Sequence, residues 1–484
     1  MDAIKVNKRE LIFLIFIVAV AFLLRTAWLE HNLFFGWEQG RDFLKLQEVA
    51  SGDLVFIGPK TDLEGVFHGA LSYYLPLPFF VVFAGNPFMV SLAYIFVNCA
   101  AIVFLYLGVR EILGKRVASL ACVLYAVSYS LIIYSRWISN PNLVPALVIL
   151  FFYSLVKSRD NNRMLVLAAI FWSVIFHLQV VAAVALFVAS VVFLFAEKGR
   201  VNRKWLFMSL VFVVLILLPY VLFDFKNQHI LLEGIRRNFL TGGALGVDRF
   251  SFWDEMRNEV VDGIFPSAKN FALVVFWGAL VIALLVTLKN KTSRLPLLFA
   301  LSAPIIFFVA GLRPLRHFYV TLAVFLPVIV AVSAGWLWER GRVLSVLFVG
   351  LVVVGNLIAV WQRLPESKAN FIHHSQRTYL GDMLNLLDYM YEDADGGKIA
   401  YNYYTFPYWL PQAWLYLFDW YGEEKYGYQP VEERGSPMYT ISEPNEREVV
   451  HKENWHKEFE KDMDLVWGRD FGQLTLEKRM DTSE

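Results

Sequence analysis

Cysteine is almost missing from this chain. The two present, Cys99 and Cys122, both lie inside apolar runs, which leaves no disulfide framework and no zinc-ligand spacing. Charge is scarce as well: 18% of the 484 residues are Asp, Glu, Lys or Arg, against 57% in the hydrophobic set, and the mean hydropathy is +0.49. That balance excludes an ordinary soluble enzyme and requires segments that cross a bilayer. No G-x-x-x-x-G-K-[ST] run and no strand-flanked G-x-G-x-x-G occurs, so a nucleotide site has no support, and nucleic acid is not an expected partner. Internal repeats, heptads and low-complexity segments are missing too. Lys5, Lys8 and Arg9 precede the apolar run 11–24 in the manner of a signal peptide, but no small-residue cleavage site follows, and the run is expected to stay as a first span.

What the chain does have is unevenly placed. Residues 1–361 carry 31 Lys+Arg against 20 Asp+Glu, and residues 362–484 carry 13 against 23, so a basic membrane part precedes an acidic tail. Basic clusters at 5–9, 110–116, 157–163, 198–204, 289–294 and 340–342 alternate with apolar runs, and the positive-inside rule places them all in the cytoplasm. Each interval between clusters then holds two crossings and one outer turn. That parity decides two ambiguous segments. Residues 70–84, apolar but interrupted by Pro76 and Pro78, become a juxtamembrane element on the outer face, because a crossing there would invert every later cluster. The run 164–195 would make one helix of roughly 48 Å against a hydrocarbon core of about 30 Å. It is therefore split at His177-Leu178-Gln179 into two short spans.

The expected fold class is a polytopic α-helical membrane protein of eleven spans, at about 10–29, 88–109, 117–134, 141–156, 164–177, 180–196, 205–223, 271–288, 295–311, 318–338 and 343–361. The N-terminus lies inside and the tail outside. Residues 1–361 form the transmembrane part, with long outer loops at 30–87 and 224–270, and 362–484 form a small extracytoplasmic α/β cap. The cap is expected to hold strands at 398–404, 438–442 and 473–478, a helix at 454–463, and an aromatic segment at 406–418 resting at the membrane interface.

Titratable chemistry collects on the outer side. In the first outer loop, Glu38, Arg41, Asp42 and Lys45 fall at i, i+3, i+4 and i+7 and would share one face of a helix. A salt-bridged interfacial helix explains that spacing as well as a site does. Location favours the site: a carboxylate beside Trp37 at the membrane edge is partly desolvated, which suits it to accept a proton, with Arg41 orienting it. Farther along, Gly65-Val66-Phe67-His68-Gly69 and Tyr73-Tyr74 fit close backbone approach to a ligand, or packing on the spans. The turn Ser135-Arg136-Trp137-Ile138-Ser139-Asn140 offers a guanidinium suited to phosphate, with snorkelling to headgroups the even alternative. Arg313, Arg316 and His317, then Arg236 and Arg237, are further outer cations against the positive-inside trend, apt for an anionic headgroup or diphosphate-like ligand.

Taken in order, these features resemble the GT-C glycosyltransferases, nearest the protein O-mannosyltransferase and aminoarabinose-transferase branch (glycosyltransferase family 39-like). The resemblance covers about residues 10–340. It implies transfer of a sugar from a polyprenyl-phosphate carrier to a glycan, lipid or protein acceptor on the outer face of the plasma membrane, usually with inversion. The family's acidic motif is usually Asp-Glu; here Glu38 stands at the Asp position, Gln39 replaces the Glu, and Arg41 matches the Arg found in some branches. By this carry-over Glu38 is the general base with Asp42 in reserve, and Arg136 contacts the carrier phosphate. Arg313, Arg316 or His317 would assist, and Arg41, His68, Tyr73, Asn140, Arg236 and Arg237 complete the expected substrate-binding set. The scheme requires no metal or other cofactor, although Glu38 and Asp42 are the pair that would hold a divalent ion. The competing function is a transporter or flippase of a lipid-linked glycan intermediate. Repeated halves and midplane charges, usual in that class, are missing from the sequence.

Overall fold

The computed structural model describes residues 6–61, 63–196, 201–240, 251–288, 292–310, 314–365, 378–405, 410–444 and 449–482. Helices occupy all the expected apolar runs. Among the described residues six of them are long and apolar enough to cross a membrane: Pro87–Val127, Asn140–Lys157, Arg203–Lys226, Lys269–Thr287, Arg316–Arg340 and Arg342–Arg363. The helix Val320–Arg340 is buried along most of its length and forms the axis of the bundle. By contrast, Arg203–Lys226 is apolar all round and almost wholly exposed, the pattern of a helix that faces lipid. The long apolar run splits where His177-Leu178-Gln179 suggested, into Met164–Leu178 and Val180–Ala196, with extended backbone at Gln179. Residues 70–84 form two short helices, Leu71–Tyr74 and Leu77–Val82.

One boundary is corrected. The expected span 117–134 ends at Val127, and Tyr129–Arg136 is a separate short helix. Distant side chains make this break. The Arg25 guanidinium donates to the carbonyls of Ala126 at 2.9 Å and Tyr125 at 3.4 Å, which satisfies acceptors at a helix end. The Tyr129 N–H donates to Asn356 Oδ1 at 2.9 Å.

The tail builds a five-stranded sheet ordered Val431–Glu432, Ala400–Tyr404, Met438–Ser442, Leu474–Asp481 and Met463–Phe471. The first two pairings are parallel and the last two antiparallel. The helix here is Val449–Phe459 rather than 454–463, and Met463–Phe471 is a strand that sequence patterning missed. It is an edge strand, exposed over most of its length, so it carries no apolar alternation to read.

The aromatic segment is also corrected. Its helix Gln412–Leu417 buries Trp414, Tyr416 and Leu417 inside the protein, against the helix Trp37–Ala50. The Tyr416 ring lies 5.1 Å from that of Phe43, and its hydroxyl donates to the Gly85 carbonyl at 2.5 Å. A Cβ at Gly40 would stand 2.2 Å from the Ala413 nitrogen, so only glycine lets these backbones meet. Gly40→Ala should gain up to about 1 kcal/mol in helix propensity and lose about 1–3 kcal/mol to overpacking. The steric cost wins, and the variant is expected to unfold at lower temperature and to release the tail faster under limited proteolysis.

Candidate active site

Five elements converge on one cavity of about 370 Å³. The helix Trp37–Ala50 supplies Glu38 and Arg41. The hairpin of Ile57–Lys60 and Phe67–Gly69 supplies Lys60 and His68. The turns after Arg136 and before Val320 supply Trp137, Asn140, Arg316 and His317, with Glu255 from the helix Ser251–Ile264.

Local chemistry sets each wall. Gln39, in place of the expected second carboxylate, accepts from the Gly36 N–H at 3.1 Å and donates to the Ile138 carbonyl at 2.7 Å. An ionised carboxylate has no proton to donate, so only an amide both caps this helix and ties it to the neighbouring turn. That turn is fixed from beneath by Asn142, whose amide donates to the carbonyls of Ser135 at 3.0 Å and Trp137 at 2.7 Å. The hairpin rests on His177. Its Nδ1 accepts from the Leu71 N–H at 3.4 Å while Nε2 donates to the Ile216 carbonyl at 2.9 Å, which fixes a neutral ring. A Cβ on Gly69 would meet His177 Nδ1 at 1.8 Å, so glycine is needed for this close approach beside His68.

The charges around the cavity are unequally engaged. Arg41 lies over the Trp37 ring at 5.1 Å and pairs with Asp42 at 2.9 Å. Arg316 is held by Glu259 at 3.3 Å and Asp262 at 2.5 Å. Lys60, by contrast, has no carboxylate partner among the described residues, and it is exposed. Burial, with the nearby Arg41 guanidinium and His317, lowers His68 to about 3, so its imidazole is neutral at physiological pH.

Glu38, Arg41, His68, Asn140, Arg316 and His317 thus share one cavity, and the other expected residues do not. Asp42 sits behind Arg41, bonded to it and to Tyr73, which makes the expected reserve base a partner of the arginine. Tyr73 itself opens on a separate groove with Lys45 and Lys226. Arg136 is buried, and its guanidinium donates to the carbonyls of Arg25 at 2.9 Å and Ala27 at 2.6 Å and to Asn32. It straps the end of the first span to the turn and does not line the cavity. Arg236 pairs with Glu233 at 2.8 Å and Arg237 with Glu64 at 3.1 Å, Arg237 lining a neighbouring chamber that meets the cavity at Lys60 and Thr61. Arg313 lies outside the described residues. Among the described residues the metal-ligating cluster is His456, Glu460 and Glu477 in the tail, where Arg479 already pairs with both carboxylates.

Sequence reading passed over Lys60 and Glu255. Lys60 directly follows the Gly58-Pro59 turn pair, and Glu255 repeats at i+4 and i+7 in Glu259 and Asp262; either pattern was available.

Burial raises Asp42 to about 6, against the opposing pull of Arg41. Its folded value lies above the ordinary 3.8, so it contributes stability below pH 3.8 that is lost as pH rises through about 6. Asp42→Asn is therefore expected to flatten the dependence of the unfolding temperature on pH between 4.5 and 6.5, measured on purified protein in detergent.

Residues 68–223 match the family described as dolichyl-phosphate-mannose-protein mannosyltransferase. Among curated proteins no sequence matches the chain. Among solved structures, the chain superposes on ArnT from Cupriavidus metallidurans bound to undecaprenyl phosphate with a TM-score of 0.63 at 12% identity, covering 98% of each chain. It also superposes on an Archaeoglobus fulgidus oligosaccharyltransferase tethered with an acceptor peptide, with a TM-score of 0.54 at 13% identity, covering 87% of this chain and 63% of that one. The oligosaccharyltransferase AglB from Archaeoglobus fulgidus, in complex with an inhibitory peptide and a dolichol-phosphate, gives 0.51 at 13% identity, covering 90% of this chain and 69% of that one. Fold and family match point the same way: the chain has the GT-C fold of these membrane glycosyltransferases, and residues 68–223 resemble the mannosyltransferase family.

Proposed function

We propose that the protein transfers a sugar from a polyprenyl-phosphate carrier to an acceptor on the extracytoplasmic face of the plasma membrane, with inversion at the anomeric carbon. The observation that carries this reading is the cavity in which a carboxylate, Glu38, shares walls with Lys60, a cation that no protein carboxylate neutralises among the described residues. Undecaprenyl phosphate in ArnT and dolichol-phosphate in AglB support the carrier class.

The acceptor hydroxyl attacks the anomeric carbon as the carrier phosphate leaves with the polyprenol. Glu38 takes the hydroxyl proton. Lys60 stabilises the charge that develops on the departing phosphate, because Arg41 and Arg316 are already engaged by carboxylates. Neutral His68 adds a hydrogen-bonding ring without adding charge. The basic clusters keep the N-terminus inside, which puts the cavity and the tail outside under the eleven-span scheme. The acceptor is a glycan, a lipid or a protein.

The test is transfer by the purified protein in liposomes from a radiolabelled, carrier-linked sugar to cell-envelope extract, followed by mass spectrometry of the product. Appearance of polyprenyl phosphate together with a glycosylated acceptor supports the reading. Translocation of the donor across the bilayer with no product would replace it with transport.

A further inference from the structure

The helix Ser251–Ile264 presents Glu255, Glu259 and Asp262 at i, i+4 and i+7, hence on one face. Two of the three are engaged. Glu259 accepts from Ser130 and pairs with Arg316, while Asp262 pairs with Arg316 and with Arg363 at 3.1 Å. These contacts anchor the helix at two successive turns and fix where the third carboxylate stands. Glu255 lines the cavity, is half-buried, and makes no hydrogen bond or ion pair among the described residues.

The cavity therefore has two carboxylates on different walls. Glu38 belongs with Arg41 on one helix, and Glu255 stands across from that element on the helix latched to Arg316. One carboxylate suffices to accept the proton in the reaction proposed above. A second one, half-buried and without a donor, costs solvation energy unless the substrate brings donors to it. An ionised carboxylate only accepts, and its two oxygens can take two hydroxyls at once. The leaving phosphate brings no such donors, whereas a sugar ring does.

We propose that Glu255 accepts hydrogen bonds from ring hydroxyls of the transferred sugar and so determines which sugar the enzyme takes. This rests on the glycosyl-transfer reading, and its test separates the two. Wild type, Glu255→Ala and Glu255→Gln are compared in proteoliposomes with two probes: undecaprenyl phosphate, which lacks a sugar, and undecaprenyl-phosphate-linked hexoses with and without single hydroxyls.

Undecaprenyl phosphate is expected to bind all three proteins within about twofold. The donor KM rises on the order of 10²-fold in Glu255→Ala, the size of a lost hydrogen bond to a charged group, and less in Glu255→Gln. Deoxy donors that the wild type rejects are no longer rejected by Glu255→Ala. Equal weakening of sugar-free and sugar-bearing probes would mean a scaffold role and overturn the proposal. A collapse of kcat at unchanged KM, with loss of the acid limb of the pH profile, would make Glu255 a proton acceptor and overturn it as well. A wild type that neither binds undecaprenyl phosphate nor cleaves any donor would fail before any variant is compared, and that failure belongs to the transfer reading.

Discussion

Glu38→Gln is expected to lower the rate of sugar transfer roughly 10²- to 10⁴-fold, the range that a positioned general base supplies. The substitution keeps the shape and hydrogen-bonding length of the side chain and removes only its ability to take a proton. Glu38 lines the cavity, and the helix that carries it is capped by Gln39 and clamped to the tail at Gly40. Binding of undecaprenyl phosphate, read by a fluorescent analogue, should be unchanged within about threefold, because in the proposed mechanism the carrier phosphate meets Lys60. Asp42→Asn is the paired control. Asp42 is bonded to Arg41 behind the cavity wall, and its replacement should cost less than about tenfold in rate. If both variants lose activity equally, the proton goes to a different group.

The bundle was readable because the bilayer leaves a helix few alternatives. Every backbone group in a span must be paired within the segment, so apolar length and the basic punctuation at 110–116, 198–204 and 340–342 are enough to lay out the helices. What escaped was decided by partners far away in sequence. The break after Val127 depends on Arg25 and Asn356, one about a hundred residues before and the other more than two hundred after, and no local pattern announces it. Arg136 was read toward phosphate or lipid headgroups because its acceptors, two backbone carbonyls and Asn32, carry no charge signature in the sequence. The edge strand Met463–Phe471 is polar where an interior strand would alternate. At the cavity, residues chosen by sidedness and chemistry, Glu38, Arg41, His68, Asn140, Arg316 and His317, do meet. Sidedness does not say which cation is already paired, and that distinction is why the proposed mechanism assigns the carrier phosphate to Lys60 rather than to Arg136 or Arg316.

Arg316→Met is expected to destabilise the protein by about 3–5 kcal/mol, the cost of leaving a buried charge without its partner. The Glu259 side chain is 0% exposed and the Arg316 and Asp262 side chains 13% each, so this pair and its third member sit largely out of water. Burial pushes the Glu259 carboxyl above its ordinary range, while Arg316 and the Ser130 hydroxyl oppose that rise. Without the guanidinium the carboxyl rises further and takes a proton more readily. The sign of the pH effect follows: a raised carboxyl costs most above its folded pKa, so the deficit should be larger at pH 8 than at pH 5. Adding Glu259→Gln removes the stranded charge, and the double variant should recover more than half of the loss in thermal or denaturant unfolding in micelles. Function should not recover with it. Arg316 also anchors the helix that positions Glu255 and adjoins His317 on the cavity wall, so the rescued double variant is expected to fold and still show a raised donor KM. Full recovery of KM along with stability would show that the ion-pair latch serves the fold alone.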